Sequence, residues 1–181
     1  MIKLCIFSTF LLFAWSSVVQ GFSTTARTAL VIDNTTGDVL LSKDIDRPIP
    51  PASMSKLMTL FMVFESLEEG KIKMDDTFRV SRKAWAKGGS KMFVREGASV
   101  TIENLIKGVI IQSGNDACIV LAEGIAGTEE NFAELMTIRA KEIGLTNSNF
   151  KNSTGWPDPE HYMTSKDLVT LANKIREEYP S

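Results

Sequence analysis

The chain has 181 residues, 44% of them hydrophobic, and a formal net charge of −2. That length and apolar fraction suit one globular domain with a core of its own, and the lack of a basic excess argues against a nucleic-acid binder.

The first residues, MIKLCIFSTFLLFAWSSVVQG, combine a basic start at Lys3, an apolar run and small residues at Val19 and Gly21. This is the pattern of a secretory signal peptide over residues 1–21, and the run falls short of the roughly 20 apolar residues of a spanning helix. Cleavage near Gly21 would remove Cys5 and leave Cys118 alone, so no intramolecular disulfide is expected in residues 22–181. The processed chain is expected outside the inner membrane, in the periplasm or another extracytoplasmic space, with no membrane anchor.

ALVID (29–33) and DVLL (38–41) are β-prone runs separated by the turn residues Asn34 to Gly37, which predicts an antiparallel hairpin. After a polar, proline-bearing link over 44–51, residues 55–66 are apolar nearly all round, as in a central buried helix. Residues 101–112 and 117–125 read as two further helices with a break at Ser113-Gly114-Asn115 between them. Residues 128–143 begin at a threonine cap followed by two glutamates and stop at Gly144. A turn-forming loop over 147–159 precedes a last helix over 164–178, which Pro180 ends.

Within PPASMSKLMTLF (50–61), helical spacing puts Ser53, Lys56, Leu57, Leu60 and Phe64 on one face. An ammonium on an apolar face loses hydration, and lowering its pKa from about 10.4 to near 7 takes about 4 kcal/mol. An amine so tuned is a general base, and the Ser53 hydroxyl one turn earlier is within its reach. The alternative is a serine cap with a lysine snorkelling to solvent. Ser148-Asn149-Phe150-Lys151 repeats the spacing in a polar loop, where nothing is expected to desolvate the lysine.

In Gln112-Ser113-Gly114-Asn115-Asp116, a hydroxyl and an amide flank a glycine. They could bind substrate or pass a proton, or they could simply cap two helices.

Taken together, Ser53-Met54-Ser55-Lys56 and Ser113-Gly114-Asn115 some sixty residues later resemble the serine D-alanyl-D-alanine carboxypeptidases, the low-molecular-mass penicillin-binding proteins. Residues 51–59, Gly89-Ser90 with Met92-Phe93, 112–118 and Asn152-Ser153-Thr154-Gly155-Trp156-Pro157-Asp158 carry the same resemblance. It implies an α+β fold of the β-lactamase and penicillin-binding-protein kind, with an N-terminal hairpin and a mostly helical subdomain. It implies Ser53 as nucleophile, Lys56 as its base, Ser113 as proton relay to the leaving group, and Asn115 as a ligand of the peptide amide. The partners implied are a peptidoglycan stem peptide ending in D-Ala-D-Ala, and β-lactams as inhibitors; no cofactor or metal is implied. Glycine at 114 favours the carboxypeptidases over the related β-lactamases, which usually have aspartate there.

The family's third motif, Lys-Thr-Gly, does not occur in the chain. The resemblance assigns it a strand that binds the substrate carboxylate and supplies one oxyanion-hole N–H. On that ground residues 22–181 read as an incomplete catalytic domain with later sheet strands missing, from a fragment, split gene or degraded remnant. A non-catalytic remnant that binds wall peptide or penicillin and a β-lactamase-like hydrolase are the competing readings.

Elsewhere, His161 reads as an exposed loop histidine, Cys118 as an inert core thiol, and Met54, Met58 and Met62 as core packing. The basic residues Lys71, Lys73, Arg79, Arg82, Lys83, Lys87 and Lys91 read as a solvated face.

Overall fold

In the computed structural model, which describes residues 23–180, the predicted hairpin forms from β1 (Ala29–Ile32) and β2 (Val39–Lys43). The strands pair antiparallel, with Ala29 opposite Lys43 and a register shift after Val31. Asp33 closes the turn by accepting from the Thr35 and Gly37 N–H groups, at 2.7 Å each. The predicted signal peptide lies outside the described residues.

A 3₁₀ turn (Ala52–Ser55) leads into α1 (Lys56–Glu68). A second two-stranded sheet follows from β3 (Thr77–Arg79) and β4 (Ser99–Thr101), with the short α2 (Arg82–Ala86) between them. Sequence pattern does not mark these elements, because strands of three residues and a helix of five are too short to show a period. The helices α3 (Ile102–Gln112), α4 (Asn115–Ala126), α5 (Glu129–Glu142) and α6 (Ser165–Glu178) follow the sequence reading closely. Thr101, Thr128 and Thr164 cap α3, α5 and α6, their hydroxyls accepting from the N–H three residues on.

The architecture is therefore α+β and mainly helical, with two short antiparallel sheets among the described residues. In α4 every residue from Asn115 to Ala122 is buried, so this helix shares the centre of the core with α1. One side of the core joins Leu60 and Val63 of α1 to α3 and α4. The other joins Met58 and Phe61 of α1 to Phe132 and Met136 of α5 and Leu171 of α6. Met58 is fully buried but Met54 is 44% exposed, contrary to the core-packing expectation. The reason is that Met54 belongs to the 3₁₀ turn, where helical spacing does not carry it inward.

The loop after α5 is pinched shut at its neck. Asn149 and Tyr162 exchange backbone hydrogen bonds at 2.9 and 3.0 Å, and Met163 exchanges a second pair with Ile49 at 2.8 and 3.0 Å. Residues 150–161 are thereby held across the 3₁₀ turn, which sets up the site.

Candidate active site

Ser53 stands in the 3₁₀ turn, just before α1 begins at Lys56. A 3₁₀ turn has three residues per turn, so positions i and i+3 eclipse. That brings Lys56 Nζ to 3.1 Å from Ser53 Oγ. Ala52 enters the turn with φ +49°, a left-handed value costly for a residue with a Cβ.

Ser53 is exposed, whereas Lys56 is 4% exposed. The Lys56 amine also donates to the Thr154 carbonyl at 3.0 Å. No carboxylate pairs with it among the described residues, and burial holds its pKa below the ordinary lysine value, opposed in part by the nearby Cys118 thiol. A buried amine without a counter-ion, one turn from an exposed hydroxyl, is equipped to take that hydroxyl's proton.

Ser113 closes α3 in the left-handed region at φ +54°, and no hydrogen bond to its Oγ occurs among the described residues. Asn115 opens α4 two residues earlier than the sequence suggests. Its backbone N–H donates to Ser90 O at 2.8 Å and its amide to Gly88 O at 2.9 Å. The buried Asp116 carboxylate accepts from Met92 N (2.9 Å), Val94 N (3.2 Å) and Ala117 N (2.9 Å). The Met92 and Val94 bonds lie on either side of Phe93, which is held at φ +62° and is 80% exposed.

The two motifs share no hydrogen bond among the described residues; the 152–158 loop joins them. Asn152 Oδ1 accepts from Thr154 N (3.1 Å), Thr154 Oγ1 (3.0 Å) and Trp156 N (2.9 Å), which folds the loop on itself. At one end Gly155, at φ +78°, packs so closely on the turn that a Cβ there would lie 1.8 Å from Ala52 O. At the other, a Cβ on Gly89 would meet the Trp156 ring at 3.2 Å and the Asn115 amide at 2.7 Å. Lys87 Nζ lies 4.2 Å over that ring. Ser53 and Lys56 thus meet directly, and Asn115 is linked to them through Thr154, Gly155, Trp156 and Gly89.

The second Ser-x-x-Lys does not form a pair. Ser148 Oγ donates to Asp167 at 2.7 Å, while the exposed Lys151 reaches Glu160 at 3.4 Å. Ser148 itself is buried, contrary to its polar-loop appearance, because Asp167 in the first turn of α6 draws it inward.

His161 is corrected as well: it is 3% exposed, not on the surface. Its Nε2 lies 2.7 Å from Ser55 Oγ, its Nδ1 accepts from Lys151 N at 3.2 Å, and its ring stands edge-on to Phe150. The flanking Asp158, Pro159 and Glu160 hid this, since burial here comes from folding the loop back on the 3₁₀ turn. Nor are the basic residues all merely solvated. Lys83 pairs at 2.8 Å with the buried Glu129, which in turn holds Ser153 of the loop at 2.9 Å. Cys118 is buried and its thiol pKa is pushed up to about 12 by loss of solvation. Among the described residues no group of three His, Cys, Asp or Glu side chains could hold a metal ion, and no helix is long and apolar enough to cross a membrane.

A family model described as D-alanyl-D-alanine carboxypeptidase matches residues 16–181. The D-alanyl-D-alanine carboxypeptidase DacF of Bacillus subtilis is 42% identical over 150 residues, covering 83% of this chain and 39% of its own length. The crystal structure of the carboxypeptidase DacD from Francisella tularensis superposes with a TM-score of 0.86 at 38% identity, over 89% of this chain and 39% of that one. Penicillin binding protein 5 from Haemophilus influenzae gives 0.85 at 34% identity, over 90% of this chain and 48% of that one. The chain thus spans less than half the length of these relatives.

Proposed function

The chain belongs to the D-alanyl-D-alanine carboxypeptidase family, and on that premise we propose that it carries the acylating centre of a serine peptidase that removes the terminal D-alanine from peptidoglycan stem peptides. The observation that supports this most is Lys56 Nζ at 3.1 Å from the exposed Ser53 hydroxyl, buried and without a carboxylate partner.

In this reading the free Lys56 amine, kept in place by the Thr154 carbonyl, takes the Ser53 proton as Oγ attacks the carbonyl carbon of the penultimate D-alanine. The peptide C–N bond then breaks. Ser113, whose hydroxyl has no other partner among the described residues, relays to the departing amine the proton that Lys56 took from Ser53, so that D-alanine leaves and Lys56 is again a free amine. Water, deprotonated by Lys56, hydrolyses the ester on Ser53 and regenerates the hydroxyl. Asn115 binds the substrate amide through its Oδ1 and second N–H, while the first N–H stays on Gly88 O. A β-lactam, whose ring amide stands in for the scissile bond, acylates the same serine; a relative's designation as a penicillin binding protein supports this. The leader-like residues 1–21 support action outside the inner membrane.

These 181 residues contain no Lys-Thr-Gly. By the family resemblance they lack one oxyanion N–H, a loss of about 3 to 4 kcal/mol in other serine hydrolases, so turnover by the chain alone is expected to be impaired. The test offers the purified chain an acylated peptide ending in D-Ala-D-Ala and, separately, a fluorescent penicillin. D-alanine release with a label that Ser53→Ala abolishes supports the proposal. A lasting label without release indicates a binding remnant, rapid drug hydrolysis a β-lactamase-like enzyme, and no label at all refutes acyl transfer.

A further inference from the structure

His161 is a buried polar side chain that this chemistry does not use, and both of its ring nitrogens are partnered. Nδ1 accepts from the Lys151 backbone N–H at 3.2 Å, so the ring proton sits on Nε2 and is donated to Ser55 Oγ at 2.7 Å. Ser55 ends the 3₁₀ turn that carries Ser53 and immediately precedes Lys56. Lys151 belongs to the loop whose Thr154 carbonyl holds Lys56 Nζ at 3.0 Å. The imidazole is therefore a bridge between the two halves of the Lys56 environment.

The turn needs such a bridge. It starts from a left-handed Ala52, and its fit to the loop depends on the close approach of Gly155, beside which Ser55 Oγ also lies. If the loop lifts, Lys56 loses its carbonyl partner and gains water.

We propose that His161 is a positioning residue for the Ser53 and Lys56 pair, bridging the 3₁₀ turn at Ser55 to the 150–161 loop so that the lysine stays dry and aimed at the serine. Its activity readout rests on the acyl-transfer reading above; its structural readout does not.

The test compares the full chain with His161→Gln, which keeps a donor at similar reach, and His161→Leu, which keeps apolar volume but neither nitrogen. Lysines carry a ¹³Cε label, and the Lys56 signal is identified by its loss in Lys56→Arg. In the parent and in His161→Gln, Lys56 should titrate below the ordinary lysine range. In His161→Leu it should move upward by about one pH unit or more, towards about 10.4. Acylation by fluorescent penicillin should fall about tenfold at saturating drug in His161→Leu, with half-saturation little changed and the rate restored in His161→Gln. If His161→Leu does not fold, Ser55→Ala, which removes only the acceptor, is read in its place. A Lys56 titration identical in all these proteins overturns the inference. If the parent takes no penicillin yet its Lys56 titration depends on His161, acyl transfer fails while the positioning role stands.

Discussion

Gly155→Ala tests how closely the loop and the serine-bearing turn are fitted. The glycine sits at φ +78°, where an alanine costs about 1–2 kcal/mol in backbone strain alone. Its new Cβ would lie 1.8 Å from Ala52 O and 2.5 Å from Ala52 C. Those are backbone atoms, so no side chain can turn aside, and forced displacement in a packed site adds about 1–3 kcal/mol. Gly70→Ala is the control, since Gly70 has φ +68° with nothing within 4 Å of a Cβ. Thermal unfolding reads the difference, at about 2–4 °C per kcal/mol for a domain of this size. Gly70→Ala should lower Tm by about 2–8 °C, and Gly155→Ala by about 4–20 °C, with Gly155→Ala the lower of the two. Penicillin labelling should fall in Gly155→Ala alone, because the displaced residue adjoins Ser53. Equal Tm values for the two variants, with labelling unaffected, would refute the claim that the loop is docked on the turn.

Other outcomes follow from the same contacts. Asp116→Ala leaves the Met92 and Val94 N–H groups without their acceptor and should cost about 3 kcal/mol in chemical denaturation, while Asp116→Asn, which keeps one carbonyl oxygen, should cost less. Burial lowers the His161 pKa, with Asp158 opposing it, so between that value and about 6.5 the unfolded chain binds more protons than the folded one. Stability should therefore be full above about pH 6.5 and decline as pH falls through that window, and the decline should be shallower in His161→Gln, as calorimetry at stepped pH would register. Cys118, with its thiol pushed up to about 12, should resist alkylation in the native chain and react once guanidinium is added, as intact mass would reveal.

What the sequence revealed and what it hid divide along one physical line. Periodicity and caps located the long helices, because Thr101, Thr128 and Thr164 mark their starts chemically. The hairpin was legible from its turn residues, and Ser53 with Lys56 from local spacing, although the pair meets on a 3₁₀ turn and not on a continuous α-helix. The rest depends on long-range docking. Nothing local announces that a carbonyl 98 residues away holds Lys56, or that Ser55 lies against a histidine 106 residues on. His161 looked exposed because burial is set by the loop's path and not by its polar neighbours. Ser148 likewise takes its partner, Asp167, from beyond the loop in α6, while Lys151 stays exposed as its polar neighbours suggest.

The central claim, that Lys56 activates Ser53 for acyl transfer, is tested most directly by incubating the chain with benzylpenicillin and locating the adduct by intact mass and peptide mapping. The account predicts one drug per chain, on the peptide bearing Ser53, absent in Ser53→Ala and strongly slowed in Lys56→Met. An adduct that maps to Ser113 or Ser148, or that survives Ser53→Ala, would contradict it.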